Sequence, residues 1–315
     1  MNPYYPRRFL SIDTVFKRRF GAKTVKIPLN AGFGCPNRDG TKGTGGCIYC
    51  SASLSGDYGG DPSKSLKEQF ESLVPRYVEK WGHLGELKYI AYLQAGTNTY
   101  ASPERLKAVY DEVMSIEGIS GVSIATRADC ISPRAAELLK ELSKRTYLTV
   151  ELGLQSSNER TAKLINRCHS YTEFLRGYET LRQMGIDTCV HIINGLPGET
   201  REDMLKTAKD VAALAPYEVK IHLLYIVAGT AAHEMYKRGE IKTLEMDEYI
   251  SIVCDQLEVL PPETAIGRLT GDCDRSILAA PQWSVYKRNT LNGIEKELKR
   301  RGSYQGIKYD GKAGV

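Results

Sequence analysis

Segments of strand character and segments of helix character alternate along most of this 315-residue chain, and that alternation restricts the fold more than any other feature. TVKIPLN (24–30), LKYIAYLQA (87–95), GVSIATR (121–127), YLTVELGLQS (147–156), IDTCVHIINGLPG (186–198) and YEVKIHLLYIVAG (217–229) are rich in β-branched and apolar residues. Helical patterns lie between them, over 63–81 (with Pro75 as an irregularity), 102–116, 132–144, 158–166, 171–184 and 200–214. Ser102-Pro103 and Ser132-Pro133 pair an N-cap with a proline at the first helical position, a combination that starts helices. Apolar strands alternating with helices predict a parallel sheet covered by helices, either a closed or partial barrel or a doubly wound sheet. No composition break or long linker interrupts the units, so one domain is expected. In both architectures the C-terminal ends of the strands build the site. Five of those ends are polar: the cysteine segment after the first, QAGTNTY, TRADC, GLQSS and NGLPGE. From about 245 onward, two helices (247–259 and 284–301) flank ETAIGRLTGD (263–272), a seventh strand or an extension.

Composition narrows the setting. Hydrophobic content of 42% with 26% charged residues is that of a soluble globular protein. No apolar run reaches the roughly 20 residues that span a bilayer. The start, MNPYYPRRFLSID, lacks the apolar stretch and cleavage site of a secretory signal, so a cytoplasmic location and no membrane association are expected. Eight cysteines in that setting read as thiols, metal ligands or catalytic groups rather than disulfides. Residues 1–26 carry a net charge of +6 and residues 287–315 a net +5, around an acidic middle. Two basic ends suit a polyanionic partner if they share a face; otherwise they are solvated ends. Lys287, Arg288, Lys299, Arg300 and Arg301 are the candidates for phosphate contact.

Three cysteines sit in GFGCPNRDGTKGTGGCIYCSAS (32–53) without an obvious fourth partner. Cys47 and Cys50 form a C-x2-C pair, and Cys35 precedes them across an eleven-residue gap. Structural zinc takes four ligands, and Cys168-His169 could complete such a site only over a long range. Gly32, Gly34, Gly40, Gly43, Gly45 and Gly46 let a loop wrap closely around a bulky ligand. Three thiolates on a four-iron cluster would leave one iron open. Zinc and iron–sulfur therefore both remain possible on spacing alone.

With its flanks, this segment resembles the radical S-adenosylmethionine (SAM) superfamily, and within it the branch containing the elongator catalytic subunit and the stand-alone proteins of the YtqA/YhcC type. The pattern GFxCPNRDG…GGCxxC is matched by residues 32–50 almost throughout. The resemblance implies an α/β fold, a partial (β/α)6 TIM-like barrel over 24–244, preceded by a basic segment (1–23) and followed by a helical and strand extension (245–315) packed on it. It implies a [4Fe–4S] cluster held by Cys35, Cys47 and Cys50, with SAM on the remaining iron and Tyr49 near adenine. Gln94-Ala95-Gly96-Thr97 stands where the family binds the methionine amino group, so Ala95, Gly96 and Thr97 are assigned there. Gln155 in GLQSS is assigned to the ribose hydroxyls, Arg167 to the SAM carboxylate, and Ile193, before NGLPGET, to a backbone contact with adenine. His191 departs from the acid that relatives often place for ribose.

The implied activity is reductive cleavage of SAM to a 5′-deoxyadenosyl radical that abstracts hydrogen, fed by an electron donor such as flavodoxin or ferredoxin. The branch further implies tRNA as partner and remodelling of the C5 side chain of a wobble uridine, such as carboxymethylaminomethyl to aminomethyl. The rivals are a radical SAM enzyme for a small metabolite or protein, and a zinc-stabilised nucleic-acid-binding module. Other residues stay open at this point. Glu151 either pairs with a buried cation or acts in catalysis, and Arg127 and Asp129 either bind substrate or lock a turn. Cys168 and Cys273 are redox groups or bystanders, and His222 faces either the barrel or a packing layer. Cys130, Cys189 and Cys254 read as buried small hydrophobes.

Overall fold

A computed structural model describes residues 2–4, 6–54, 58–271 and 273–311. Seven strands, β1 (Lys23–Leu29), β2 (Leu87–Leu93), β3 (Ile119–Thr126), β4 (Tyr147–Gln155), β5 (Asp187–Asn194), β6 (Glu218–Leu223) and β8 (Ala265–Arg268), form one sheet in that order. Every neighbouring pair is parallel. Sequential order and a common strand twist curl such a sheet into a barrel wall covered by helices on the outside. This is the expected α/β radical-SAM-type partial barrel, with a seventh strand drawn from the 263–272 segment.

The covering helices are α2 (Leu66–Trp81), α3 (Pro103–Met114), α4 (Pro133–Arg145), α5 (Glu159–Leu164), α6 (Tyr171–Gln183) and α7 (Arg201–Leu214). Their starts are set by side chains: Ser65, Ser102, Ser132, Ser170 and Thr200 each accept a backbone N–H in the first turn. Between wall and helices lies a continuous apolar core, with Leu93, Ile124, Val150, Phe174, Val190 and Val211 almost wholly buried.

Two features depart from the sequence expectation. The sixth strand ends at Leu223; Leu224 N–H turns back to Asn194 O at 2.8 Å, and Ile226–Val227 (β7) pairs antiparallel with β9 (Leu278–Ala280) in a separate ribbon. The run LLYIV is apolar throughout, so its pattern carries no mark of the break. Second, the basic N-terminal segment contains a helix, α1 (Ile12–Phe20), capped by Ser11 and ended by left-handed Gly21. It packs on both edge strands, β1 and β8. Ile266 N–H donates to Leu10 O at 2.7 Å, and Phe16 and Phe20 meet Tyr147 edge to face at centroid distances of 6.0 and 5.5 Å. The segment plugs the floor of the barrel.

Past the sheet, α8 (Ala231–Lys237) lies under the ribbon, and α9 (Met246–Val259) packs between α7 and α10 (Lys287–Arg300). The two chain ends adjoin. Gln305 N–H donates to Arg8 O at 2.9 Å, Gln305 Oε1 accepts from Leu10 N–H at 2.9 Å, and Arg8 Nη1 donates to Ser303 O at 2.9 Å.

Candidate active site

The gap between Cys35 and Cys47 is an ordered hairpin, bridged at Asp39 and Thr44. Cys35 O accepts from Arg38 N–H at 2.9 Å, and the Arg38 guanidinium crosses to Cys50 O (3.0 Å), Ser51 O (2.5 Å) and Ala52 O (3.3 Å). One arginine thereby ties the start of the loop to its end. Gly46 leaves it room, since a Cβ there would lie 2.7 Å from Arg38 Nε. The hairpin docks on the segment after β4. Asn37 Nδ2 donates to Asn166 O at 2.5 Å and lies 3.6 Å from Cys47 Sγ, while Asn166 Nδ2 donates to Thr44 O and Gly46 O. Lys42 adds an ion pair of 2.7 Å with Asp129.

Below the hairpin opens a cavity of about 790 Å³. Cys35, Cys47, Cys50, Tyr49, Gly96, Thr97, Gln155, Arg167 and Ile193 all line it, and Ala95 lies just behind its wall, buried. Burial pushes the Cys47 thiol up, and the neighbouring Cys50 and Cys35 add to that. Gly96 has φ +72°, and a Cβ there would fall 2.1 Å from Phe33 O, so only glycine allows these two turns to meet. Gln155 also holds a left-handed backbone, φ +67°, and its buried Oε1 has no hydrogen-bond partner. Arg167 is placed otherwise than a free carboxylate clamp. It is 1% exposed, and its guanidinium donates to Leu154 O, Ser156 O and twice to His169 O. Four of the five N–H groups of an arginine are thus spent on backbone carbonyls.

Deeper in the barrel, Glu151 resolves as an ion-pair centre. Its Oε1 contacts Lys26 Nζ at 2.6 Å and accepts from Ser123 Oγ at 2.8 Å; its Oε2 contacts Lys220 Nζ, Tyr92 OH (2.9 Å) and His191 Nε2 (2.7 Å). Burial alone would raise this carboxyl, but Lys220, Lys26 and His191 more than reverse it and hold it well below the ordinary value. Glu218 lies 3.5 Å from Lys26. Glu151, Cys189 and His191 offer ligand atoms within 4.8 Å of one another, as a metal site would. The two ammonium groups on Glu151 already neutralise that carboxylate and would repel a cation. Lys26 and Lys220 were not singled out in the sequence; their signal was a lysine inside an otherwise apolar strand.

Several of the other open residues have definite partners or places. Arg127 forms a two-pronged pair with Asp129 (3.0 Å each) and donates to Arg167 O and Cys168 O, so it locks the turn. His191 faces Glu151. Cys130, Cys189 and Cys254 are buried. Cys168 Sγ lies beside Gly43 of the hairpin, where a Cβ would sit 2.7 Å away. Among the phosphate candidates, Arg300 pairs with Glu297, and Arg301 braces Glu297, Asp255 and Glu258, which removes it as a free contact.

This arrangement agrees with what similarity to known proteins shows. Residues 29–211 match the radical SAM superfamily and residues 216–300 the radical SAM C-terminal domain. The chain belongs to the radical SAM superfamily and is a radical SAM enzyme, whose cofactors are a [4Fe–4S] cluster and SAM. It is 46% identical over 300 residues to the uncharacterized protein YtqA of Bacillus subtilis, covering 95% of this chain and 92% of that one. It is 27% identical over 182 residues to the tRNA uridine(34) acetyltransferase of Methanocaldococcus infernus, covering 57% of this chain and 33% of that protein. The solved structure of Elp3 from M. infernus superposes with a TM-score of 0.68 at 19% identity, over 90% of this chain and 64% of that one.

The residues present fit the cofactors. Three thiols lining one cavity offer a three-thiolate ligand set, and the buried Gln155 Oε1 in the same cavity has no hydrogen-bond partner in the protein. Among the described residues, no helix is long and apolar enough to cross a membrane.

Proposed function

We propose that this radical SAM enzyme acts on tRNA and remodels the C5 side chain of a wobble uridine, in the manner of carboxymethylaminomethyl to aminomethyl. The observation that carries the reading is the similarity to a tRNA uridine(34) acetyltransferase, whose remaining two thirds this chain does not match. The cavity supports it: it reaches from the strand ends down to the Glu151 layer, with a volume of about 790 Å³, and enzymes that act on a base take it out of its stack into such a pocket. So does charge: Arg275, Lys287 and Arg288 line a hollow beside the barrel mouth, and Lys287 borders both.

In this reading Cys35, Cys47 and Cys50 hold the cluster. Gly96, Thr97, Gln155 and Ile193 bind SAM at the rim, and Tyr49 covers it. Arg167 acts from behind, fixing the Leu154–Ser156 turn so that Gln155 faces the cavity. When bound, the two cofactors supply a 5′-deoxyadenosyl radical that abstracts hydrogen from a carbon. The chain orients that carbon and excludes water through the hairpin above and the aromatic floor below. Flavodoxin or ferredoxin is the electron donor this chemistry calls for.

Nucleoside analysis of tRNA from cells with and without the protein tests the proposal. Accumulation of the carboxymethylaminomethyl nucleoside in the deletion supports it, and an unchanged nucleoside profile rejects it. Filter binding at rising salt tests the phosphate contacts: affinity present at low salt and lost with salt is expected.

A further inference from the structure

On the inner wall, beyond the Glu151 network, two polar groups face the cavity unspent. Arg268, the last residue of β8, lines the cavity with an exposed side chain, and its guanidinium makes no hydrogen bond or ion pair among the described residues. His222 lines it from β6, and its buried Nε2 has no partner. Register places Lys220 opposite Arg268, so residues 220, 222 and 268 occupy one patch of wall. Burial lowers the His222 pKa, and His191, Arg268 and Lys220 lower it further.

Charge balance names the ligand. In this layer Lys26, Lys220 and Arg268 stand against Glu151 and Glu218. Both lysines are taken by the carboxylates, which leaves one positive charge, on Arg268. The guanidinium fork matches a carboxylate in shape, and neutral His222, with its proton on Nε2, can donate a further hydrogen bond. A phosphate dianion would overbalance a single cation.

We propose that Arg268 and His222 form a pocket for a carboxylate on the substrate. The inference builds on the wobble-uridine reading, since a carboxymethylaminomethyl group ends in a carboxylate.

The test is equilibrium binding to the anaerobically reconstituted holoenzyme with SAM, for wild type, Arg268→Gln and Arg268→Lys, each checked for iron content and circular dichroism. The probes are 5-carboxymethylaminomethyluridine, its methyl ester, and N-ethylglycine, which keeps the carboxylate and lacks the base. Wild type should prefer the acid nucleoside to the ester by roughly tenfold or more, the strength of a charge-assisted pair. Arg268→Gln should erase that preference without weakening ester binding, and Arg268→Lys should keep part of it. Equal binding of acid and ester by wild type, equal weakening of both by Arg268→Gln, or no binding of any carboxylate probe overturns the pocket. If only N-ethylglycine binds and its binding depends on Arg268, the pocket stands and the uridine reading falls.

Discussion

At the rim of the barrel, Gly96 and Gln155 hold left-handed backbone, and the buried oxygens Gln155 Oε1 and Asn37 Oδ1 have no partner. At the floor, Phe16, Phe20 and Tyr147 meet edge to face, and the hydroxyls of Tyr147, Thr149 and Tyr217 bond one another. Same strands, opposite ends: the floor uses its residues to close the structure, whereas the rim keeps strained turns and unspent polar atoms. Unpaired buried groups cost stability, so a rim of this kind persists where a ligand completes it. The Glu151 carboxylate divides the two regions, with both oxygens paired like the floor yet facing the cavity like the rim.

The comparison breaks first at the cysteines. Cys47→Ser should abolish cluster loading and SAM cleavage, read as loss of iron and of 5′-deoxyadenosine formation, while leaving the melting temperature of the apoprotein unchanged. A large drop in apoprotein stability would show that the rim is structural after all. The next effect lies at the dividing layer. Glu151→Gln leaves Lys26 and Lys220 buried without their shared counter-ion and should cost about 3–5 kcal/mol by denaturant unfolding. The Glu151 pKa is depressed below its ordinary 4.5 in the folded protein. Its stabilisation is therefore present in full above that value and is lost as pH falls through the lower folded value. Wild type should lose stability on acidification below about pH 4.5 more steeply than Glu151→Gln; parallel profiles would remove Glu151 from that role.

Then comes the floor. Phe16 is 3% exposed, and Phe16→Ala empties the space against Tyr147, for an expected loss of about 3–4 kcal/mol. SAM cleavage per folded, iron-loaded molecule should stay as in wild type. A loss of cleavage at full iron occupancy would mean that floor and rim are coupled.

How far each region was legible in the sequence follows the same division. Rim residues announce themselves locally: the cysteine spacing, the glycine turns and GLQSS each fit within about twenty residues, and nine of the ten assigned residues line one cavity. The floor helix had a local signal as well, Ile12, Phe16 and Phe20 at four-residue spacing, but Lys17, Arg18 and Arg19 drew the reading toward a solvated basic end. Arg19 in fact stacks on Tyr147 at 4.4 Å. Glu151 could not be resolved from sequence because Lys26 and Lys220 lie 125 and 69 residues away and only strand register brings them to it. Arg268 and His222 were illegible as a pair for the same reason. The break after Leu223 left no trace because the apolar run continues across it.

The smallest expected effect tests whether strain at the rim extends to its outer turn. Glu199, in the turn after β5, donates nothing when ionised and accepts from Ser156 Oγ. Burial pushes its carboxyl up to about 7, against the lowering effect of Ser156 and Thr161. A carboxyl raised in the folded state binds its proton more tightly there than in the unfolded chain. Its contribution therefore favours folding least at high pH: between about 4.5 and 7 each rise in pH favours the unfolded state, and above 7 the cost is complete. Glu199→Gln keeps the shape and removes the charge, so it should raise stability by about 1–2 kcal/mol at pH 8 and leave it nearly unchanged at pH 4. Thermal unfolding at the two pH values reads the difference directly. An equal shift at both would assign the effect to packing rather than to a carboxylate held in an unfavourable place, and would confine the unspent polar chemistry of the rim to the cavity itself.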